Sequence, residues 1–184
     1  MHQYHDEEGR RRWQNPEELL RRIGLVEGQT FIDVGCGEGF FAIPAARIVG
    51  PRGRVYGIDV NRQALDNLDA RAVSAGLKNI TLFEGEGEET VPCRKCADFV
   101  FFGIDLHDFR DPGMVIKNAG EMLIPERGRL IDLDWKKVRM SFGPPYEIRF
   151  TPEQAEALIT HEGFAVVTRE DSGPYHYLLI ARLL

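Results

Sequence analysis

The chain has 184 residues, 43% of them hydrophobic and 28% charged, which is the balance of a globular protein long enough to bury a core. A net charge of −6 supplies no overall electropositive footprint, so nucleic acid is not expected as a partner. No apolar run approaches the roughly 20 residues that span a bilayer, and the polar opening "MHQYHDEEGRRRWQNPEE" lacks the apolar core of a secretory signal, so a cytoplasmic protein without membrane contact is expected.

In chain order, the arginines at 10–12 and 21–22 make the N-terminal segment locally basic, most simply as a solvated helix face. "NPEELLRRIGL" (15–25) has an Asn cap, Pro at the first helical position and acids in its first turn, and predicts a helix. "TFIDVG" predicts a buried strand. "FFAIPAARIVG" predicts a helix closed by Gly50. "GRVYGIDV" is a second strand, and "NRQALDNLDARAVSAG" an amphipathic helix capped by Asn61, with Leu65, Leu68, Ala72 and Val73 on its buried face. "NITLFEG" and "ADFVFFGI" predict two more strands, "DPGMVIKNAGEML" a helix and "GRLIDLDW" a fifth strand. "TPEQAEALITHEG" predicts a helix capped by Thr151, and "FAVVTRED" with "YHYLLIARLL" a closing hairpin. Apolar strands flanked by helices imply an α/β three-layer sandwich. Its seven-stranded sheet is mostly parallel, with one antiparallel strand contributed by the hairpin. No linker, repeat or low-complexity tract divides the chain, so one domain over 1–184 is expected.

The three cysteines do not make a disulfide framework. Cys36 sits in a glycine turn that needs a small side chain. "CRKC" (Cys93 and Cys96) is half a zinc site at best, and a redox pair would open a helix; two loop cysteines are the plain reading, and no metal is expected.

"FIDVGCGEGFF" carries the functional signal. A phosphate-binding P-loop needs Gly-Lys-Ser/Thr, but Phe40 follows Gly39. A dinucleotide turn prefers GxGxxG, whereas Gly35, Gly37 and Gly39 are spaced GxGxG, and Glu38 would repel a pyrophosphate. Asp33 adds negative charge suited to a cationic ligand, although it is equally suited to capping the next helix. Asp59 stands 20 residues beyond Gly39 at the end of a strand, where a carboxylate can accept both ribose hydroxyls. Glu86 and Gly87, in "FEGEGEE", offer an acid and an amide for an adenine edge, or else a plain loop.

These residues resemble the class I S-adenosylmethionine-dependent methyltransferases over nearly the whole chain. "DVGCGEGFFA" is similar to the family's first motif, which puts Asp33, Gly35, Cys36, Gly37 and Gly39 beside the methionyl group. Asp59 and Val60 match its ribose acid and adenine neighbour, Glu86-Gly87 its Asp/Glu-Ala pair. "ADFVFFGIDLHDFRDP" matches its fourth-strand motif, which adds Phe102 and Gly103 to the cofactor set. "LIPERGRLIDLDW" departs from the family pattern at Glu126-Arg127, and Asp108 stands where a second His is common.

The resemblance implies S-adenosyl-L-methionine as cofactor, a small-molecule acceptor and a chain acting as monomer or homodimer. Residues 1–14, including His2, Tyr4, His5 and Trp13, would be a flexible lid over the cofactor, or else a disordered start. "GIDLHDF" supplies Asp105 and His107 as catalytic candidates, His107 either as a general base or as packing for the next helix. "SFGPPYEIRF" supplies Tyr146 and Arg149 to an acceptor pocket, or is a connector. The alternatives are a non-catalytic cofactor-binding scaffold on the same fold and, more weakly, an NAD-dependent oxidoreductase. A zinc-dependent or arsenite-methylating variant would need more cysteines near the acceptor.

Overall fold

The structure, a computed structural model, describes residues 7–184 apart from the side chain of residue 8. His2, Tyr4 and His5 of the expected lid lie outside the described residues. Helices α1 (Glu7–Arg11) and α2 (Pro16–Arg22) precede strand β1 (Thr30–Val34), α3 (Ala42–Val49), β2 (Arg54–Asp59), α4 (Arg62–Ser74), β3 (Ile80–Glu84) and β4 (Phe99–Gly103). A 3₁₀ turn (Leu106–Asp108), α5 (Pro112–Met122), β5 (Arg129–Trp135), α6 (Pro152–His161), β6 (Phe164–Ser172) and β7 (His176–Leu183) complete the chain. The helix starts follow from their caps. Asn15, Asn61, Asp111 and Thr151 each accept an amide proton from their own first turn, and Thr151 with Gln154 closes a reciprocal capping box.

The seven strands run in the order β3-β2-β1-β4-β5-β7-β6. The pairs from β3 to β5 are parallel; β7 runs antiparallel between β5 and β6, the expected product of the C-terminal hairpin. The order reverses between β1 and β4, which are in register from Phe31↔Phe99 to Val34↔Phe102. An open parallel sheet leaves a crevice beyond its carboxyl edge at such a reversal. Alternation along each strand sends Phe31, Phe99, Phe101, Ile131 and Leu133 toward α2, α3 and α4. It sends Ile32, Val34, Val100, Phe102 and Leu130 toward α5 and α6. The β3–β4 crossover is a loop without a helix. Cys93 and Cys96, read from sequence as unpaired loop cysteines, meet there in a disulfide.

Two further expectations change. Val73 is 70% exposed, so the buried stripe of α4 is Leu65, Leu68 and Ala72. Arg149, expected in an acceptor pocket, is 2% exposed and holds the 136–150 segment together. Its Nε donates to the Pro144 carbonyl (2.8 Å), Nη1 to the Lys136 (3.3 Å) and Val138 (3.1 Å) carbonyls, and Nη2 to the Phe142 carbonyl (3.1 Å). A fork of donors satisfying buried carbonyls explains its burial without any ligand. Arg149→Met should therefore lower stability by about 2–4 kcal/mol in urea denaturation while S-adenosylhomocysteine affinity stays within about twofold. A selective loss of ligand affinity would return Arg149 to the binding surface.

Candidate functional site

The carboxyl ends of β1, β2 and β4 floor a cleft with two joined lobes of about 520 and 370 Å³, both touching Gly35, Asp59, Asp105 and Asp108. Gly35, Gly37 and Gly39 all have positive φ (76°, 49° and 87°), so the turn belongs to glycine. Gly35 is also sterically fixed, because a Cβ there would lie 1.9 Å from the Asp105 carboxylate. At Gly39 a Cβ would meet Leu68 of α4, so this glycine serves packing more than the cleft surface. Asp59 anchors the turn from β2: its Oδ2 accepts from the Gly37 amide (2.7 Å) and its Oδ1 from the Asn61 amide (2.8 Å). Each oxygen keeps a lone pair for a further donor.

The larger lobe is walled by Cys36, Phe40, Gly103, Ile104, His107 and Trp135. Ile104 has φ 72°, rare for a β-branched residue, and such strain gathers at functional sites. The kink brings the neighbouring Asp105 back over Gly35. The smaller lobe is lined by Val60, Glu86, Gly87, Glu88 and Phe109. Val60 is an exposed apolar platform at its rim. Asn118 ties the Gly87 and Glu88 carbonyls (3.0 and 2.8 Å), and Glu88 caps the Asp111 amide at 3.1 Å.

The electrostatics are dominated by carboxyls taken out of water. Both Asp105 oxygens and Asp33 Oδ2 are buried and have no hydrogen-bond partner among the described residues. Burial first, then in part the charge of Asp59, pushes Asp33 up to about 8 despite the opposing pull of Arg10. Burial and the neighbouring Asp33, Asp134 and Asp132 push Asp105 well above the usual carboxylate range. Asp33 lies just beneath the cleft lining, while Asp105 forms part of it. Arg10 of α1 faces this pair. Its guanidinium lies 3.9 Å over the Phe40 ring, and burial, partly offset by Asp33, Asp105 and Glu7, lowers it to about 9. Glu7 pairs with Arg71 of α4, so α1 lies across the mouth of the cleft. Trp13 comes next in the chain, stacked on His176 at 5.0 Å and tilted against Trp135 at 5.5 Å.

His107 lines the larger lobe from the 3₁₀ turn. Its Nδ1 is 2.8 and 2.9 Å from the two oxygens of Asp134, an acid at the end of β5 that sequence reading passed over. Burial alone would lower the imidazole, but the Asp134 bond and charge, with Asp108, outweigh it and the histidine is raised above its ordinary value.

The structure thus brings Gly35, Cys36, Gly37, Asp59, Val60, Glu86, Gly87, Gly103, Asp105 and His107 to one cleft. Phe102 points away from it, fully buried against the α5 side with Phe109 at 6.1 Å. Tyr146 lies on a separate surface depression with Arg149, within reach of the Lys137 and Arg139 cations, and does not face the glycine turn. Arg10, Glu88 and Asp134 were missed. Asp134 alone left a trace, since "LIDLDW" places two acids two residues apart in an apolar strand and so on one buried face. Among the described residues no group of three or more His, Cys, Asp or Glu is placed to hold a metal, and no helix is long and apolar enough to cross a membrane.

A methyltransferase-domain family profile matches residues 25–143. The demethylmenaquinone methyltransferase of Geobacillus kaustophilus is 30% identical over 109 residues, 59% of this chain and 47% of that protein. That of Lactobacillus johnsonii is 29% identical over 111 residues, 60% and 46% of the two chains. The chain thus spans about half the length of the curated relatives it matches. A SAM-dependent methyltransferase from Aquifex aeolicus superposes with a TM-score of 0.89 at 27% identity, covering 96% of this chain and 93% of that one. Glycine turn, switch-point cleft and antiparallel closing strand agree with these matches, and the chain belongs to the methyltransferase-domain family, in the class I fold of the S-adenosylmethionine-dependent enzymes.

Proposed function

We propose that the chain transfers the methyl group of S-adenosylmethionine to a small-molecule acceptor. The observation that carries this reading is the set of buried carboxyl oxygens without partners on Asp33 and Asp105, at a glycine turn too tight for a Cβ. A phosphate-bearing cofactor would be repelled there, whereas a cation relieves an otherwise costly burial. When bound, S-adenosylmethionine supplies a methyl on a positively charged sulfur that is already a good leaving group. Gly35, Cys36, Gly37, Gly103 and Asp105 border the methionyl end, with Asp33 and Gly39 just beneath the lining and Phe102 supporting the strand. Asp59 takes the ribose, and Val60, Glu86 and Gly87 take the adenine. The protein's work is then alignment and exclusion of water. α1, pinned by Glu7–Arg71 and by Arg10 over Phe40, is the lid that shields the site.

A small acceptor is supported by relatives named for demethylmenaquinone methylation. The net charge of −6 disfavours a nucleic-acid acceptor. A cytoplasmic setting and a monomeric or homodimeric chain complete the reading.

Isothermal titration should show S-adenosylhomocysteine binding. Asp59→Ala should weaken it by more than about tenfold, because a charge-assisted bond to the ribose and the anchor of Gly37 are lost together. Gly35→Ala should abolish it, and full affinity in that variant would contradict the placement. Proton linkage provides a second check. Asp33, with its folded value near 8, is mostly protonated in the empty cleft at pH 7, and a cation beside it favours the ionised form. Binding of S-adenosylmethionine at pH 7, compared in buffers of different ionisation enthalpy, should release protons, and the release should fade above about pH 9. The same raised acid means that the folded chain holds a proton the unfolded chain gives up. Its contribution to stability is therefore present below about pH 4 and is lost as pH rises through about 8. Proton uptake on binding would oppose this assignment.

A further inference from the structure

His107 and Asp134 make a pair whose two ends differ in kind. On the inner side, the Asp134 carboxylate receives everything around it: His107 Nδ1 at 2.8 and 2.9 Å, the His107 amide at 3.3 Å and the Trp135 amide at 2.7 Å. Both side chains are 1% exposed. On the outer side, His107 Nε2 is buried without a hydrogen-bond partner among the described residues and lines the larger lobe. The nearest charged group, Asp108 Oδ1, is 3.4 Å away without hydrogen-bond geometry, on a side chain 62% exposed at the rim. A purely structural tie between the 3₁₀ turn and β5 accounts for the inner side. It leaves the outer nitrogen unexplained, because a buried polar atom without a partner costs about 1–3 kcal/mol unless something fills it.

We infer that Asp134 is the positioning residue that holds His107 with Nδ1 protonated and the Nε2 lone pair facing the acceptor, which makes the acceptor an O–H or N–H nucleophile. A carboxylate accepts and cannot donate, so a bond to Nδ1 requires the proton on Nδ1 and leaves Nε2 as the basic atom. In the transfer, the nucleophile's new bond to the methyl carbon forms as the carbon–sulfur bond breaks, with its electron pair going to sulfur. The nucleophile's proton moves to Nε2. The resulting imidazolium is stabilised by Asp134, and Asp108 at the rim lies within reach to pass the proton to solvent. Arg149's positive charge opposes protonation of the ring, Asp105 lines the same lobe, and Asp132 stands two residues before Asp134 on β5. The net effect on the imidazole is upward. An acceptor already anionic would need no such base and would meet repelling carboxylates on this wall.

This inference rests on the methyltransferase reading, yet its test needs neither acceptor nor turnover. With ¹⁵N-labelled histidine, the ring-nitrogen shifts of His107 report its tautomer and its titration, with and without S-adenosylhomocysteine. The wild-type neutral ring should be the Nδ1–H form and titrate above the ordinary histidine value of about 6.5. Asp134→Asn should move that titration down by about one unit or more and lose the tautomer preference, because an amide side chain offers both donor and acceptor and carries no charge. Asp134→Glu should restore both, whereas a role confined to folding would be read only in the melting temperature. S-adenosylhomocysteine affinity should remain within about threefold in both variants. An Nε2–H ring in the wild type, or an unchanged titration in Asp134→Asn, overturns the inference. Failure of the wild type to bind S-adenosylhomocysteine would instead overturn the cofactor reading and leave the histidine result standing.

Discussion

The fold sets carboxyl groups into the ends of apolar strands and then withholds most of the cations that would neutralise them. Asp33 stands one residue before the end of β1, Asp105 comes just after β4, and Asp132 and Asp134 share one face of β5; these strands are otherwise largely hydrophobic. Strand register fixes the separations, so the acids cannot swing away into water. Arg10 is the cation that the structure sets against Asp33 and Asp105, and the His107 imidazole is bonded to Asp134. The result is a cleft at negative potential with at least one protonated acid near neutral pH, a setting that fits a positively charged ligand and excludes a diphosphate.

Much of this was legible in the sequence because the signals were local. Capping residues and glycine spacing each act within a few residues, and Asp59, which reaches the Gly37 amide across 22 residues, is marked by its place at a strand end; the structure finds them where the pattern put them. The edge hairpin was legible for the same reason: two strand-like runs joined by only "SGP" have few other ways to fold. The illegible parts depend on contacts between distant segments. Asp134 reaches His107 across 27 residues, and Arg10 reaches Asp33 only because α1 folds over the cleft. Arg149 looked like part of an acceptor pocket or of a connector. The backbone it closes around, the Gly-Pro-Pro turn of the 136–150 segment, cannot satisfy its own carbonyls and recruits the guanidinium instead. Nor does composition tell whether Val73, an apolar residue at helical spacing, meets the core, since it falls just off the stripe that α4 presents.

The division of labour within the cleft depends on which elements are rigid. The cofactor side is built on strand ends and a turn that only glycine can make, so it tolerates little change. The opposite wall of the larger lobe is built on the 3₁₀ turn and the short α1. The strained Ile104 lies at the seam between the two sides and aims Asp105 at one and His107 at the other.

The central claim is that charge, more than shape, selects the cofactor. It is tested most directly by comparing two ligands of nearly equal size: S-adenosylhomocysteine, with a neutral thioether, and sinefungin, which carries an ammonium-bearing carbon in place of the sulfur. Measured by isothermal titration from pH 6 to 9, sinefungin should bind at least about tenfold more tightly at the upper end, where Asp33 ionises most readily, and its advantage should shrink toward pH 6. Equal affinities across that range, or tighter binding of the neutral thioether, would contradict the account.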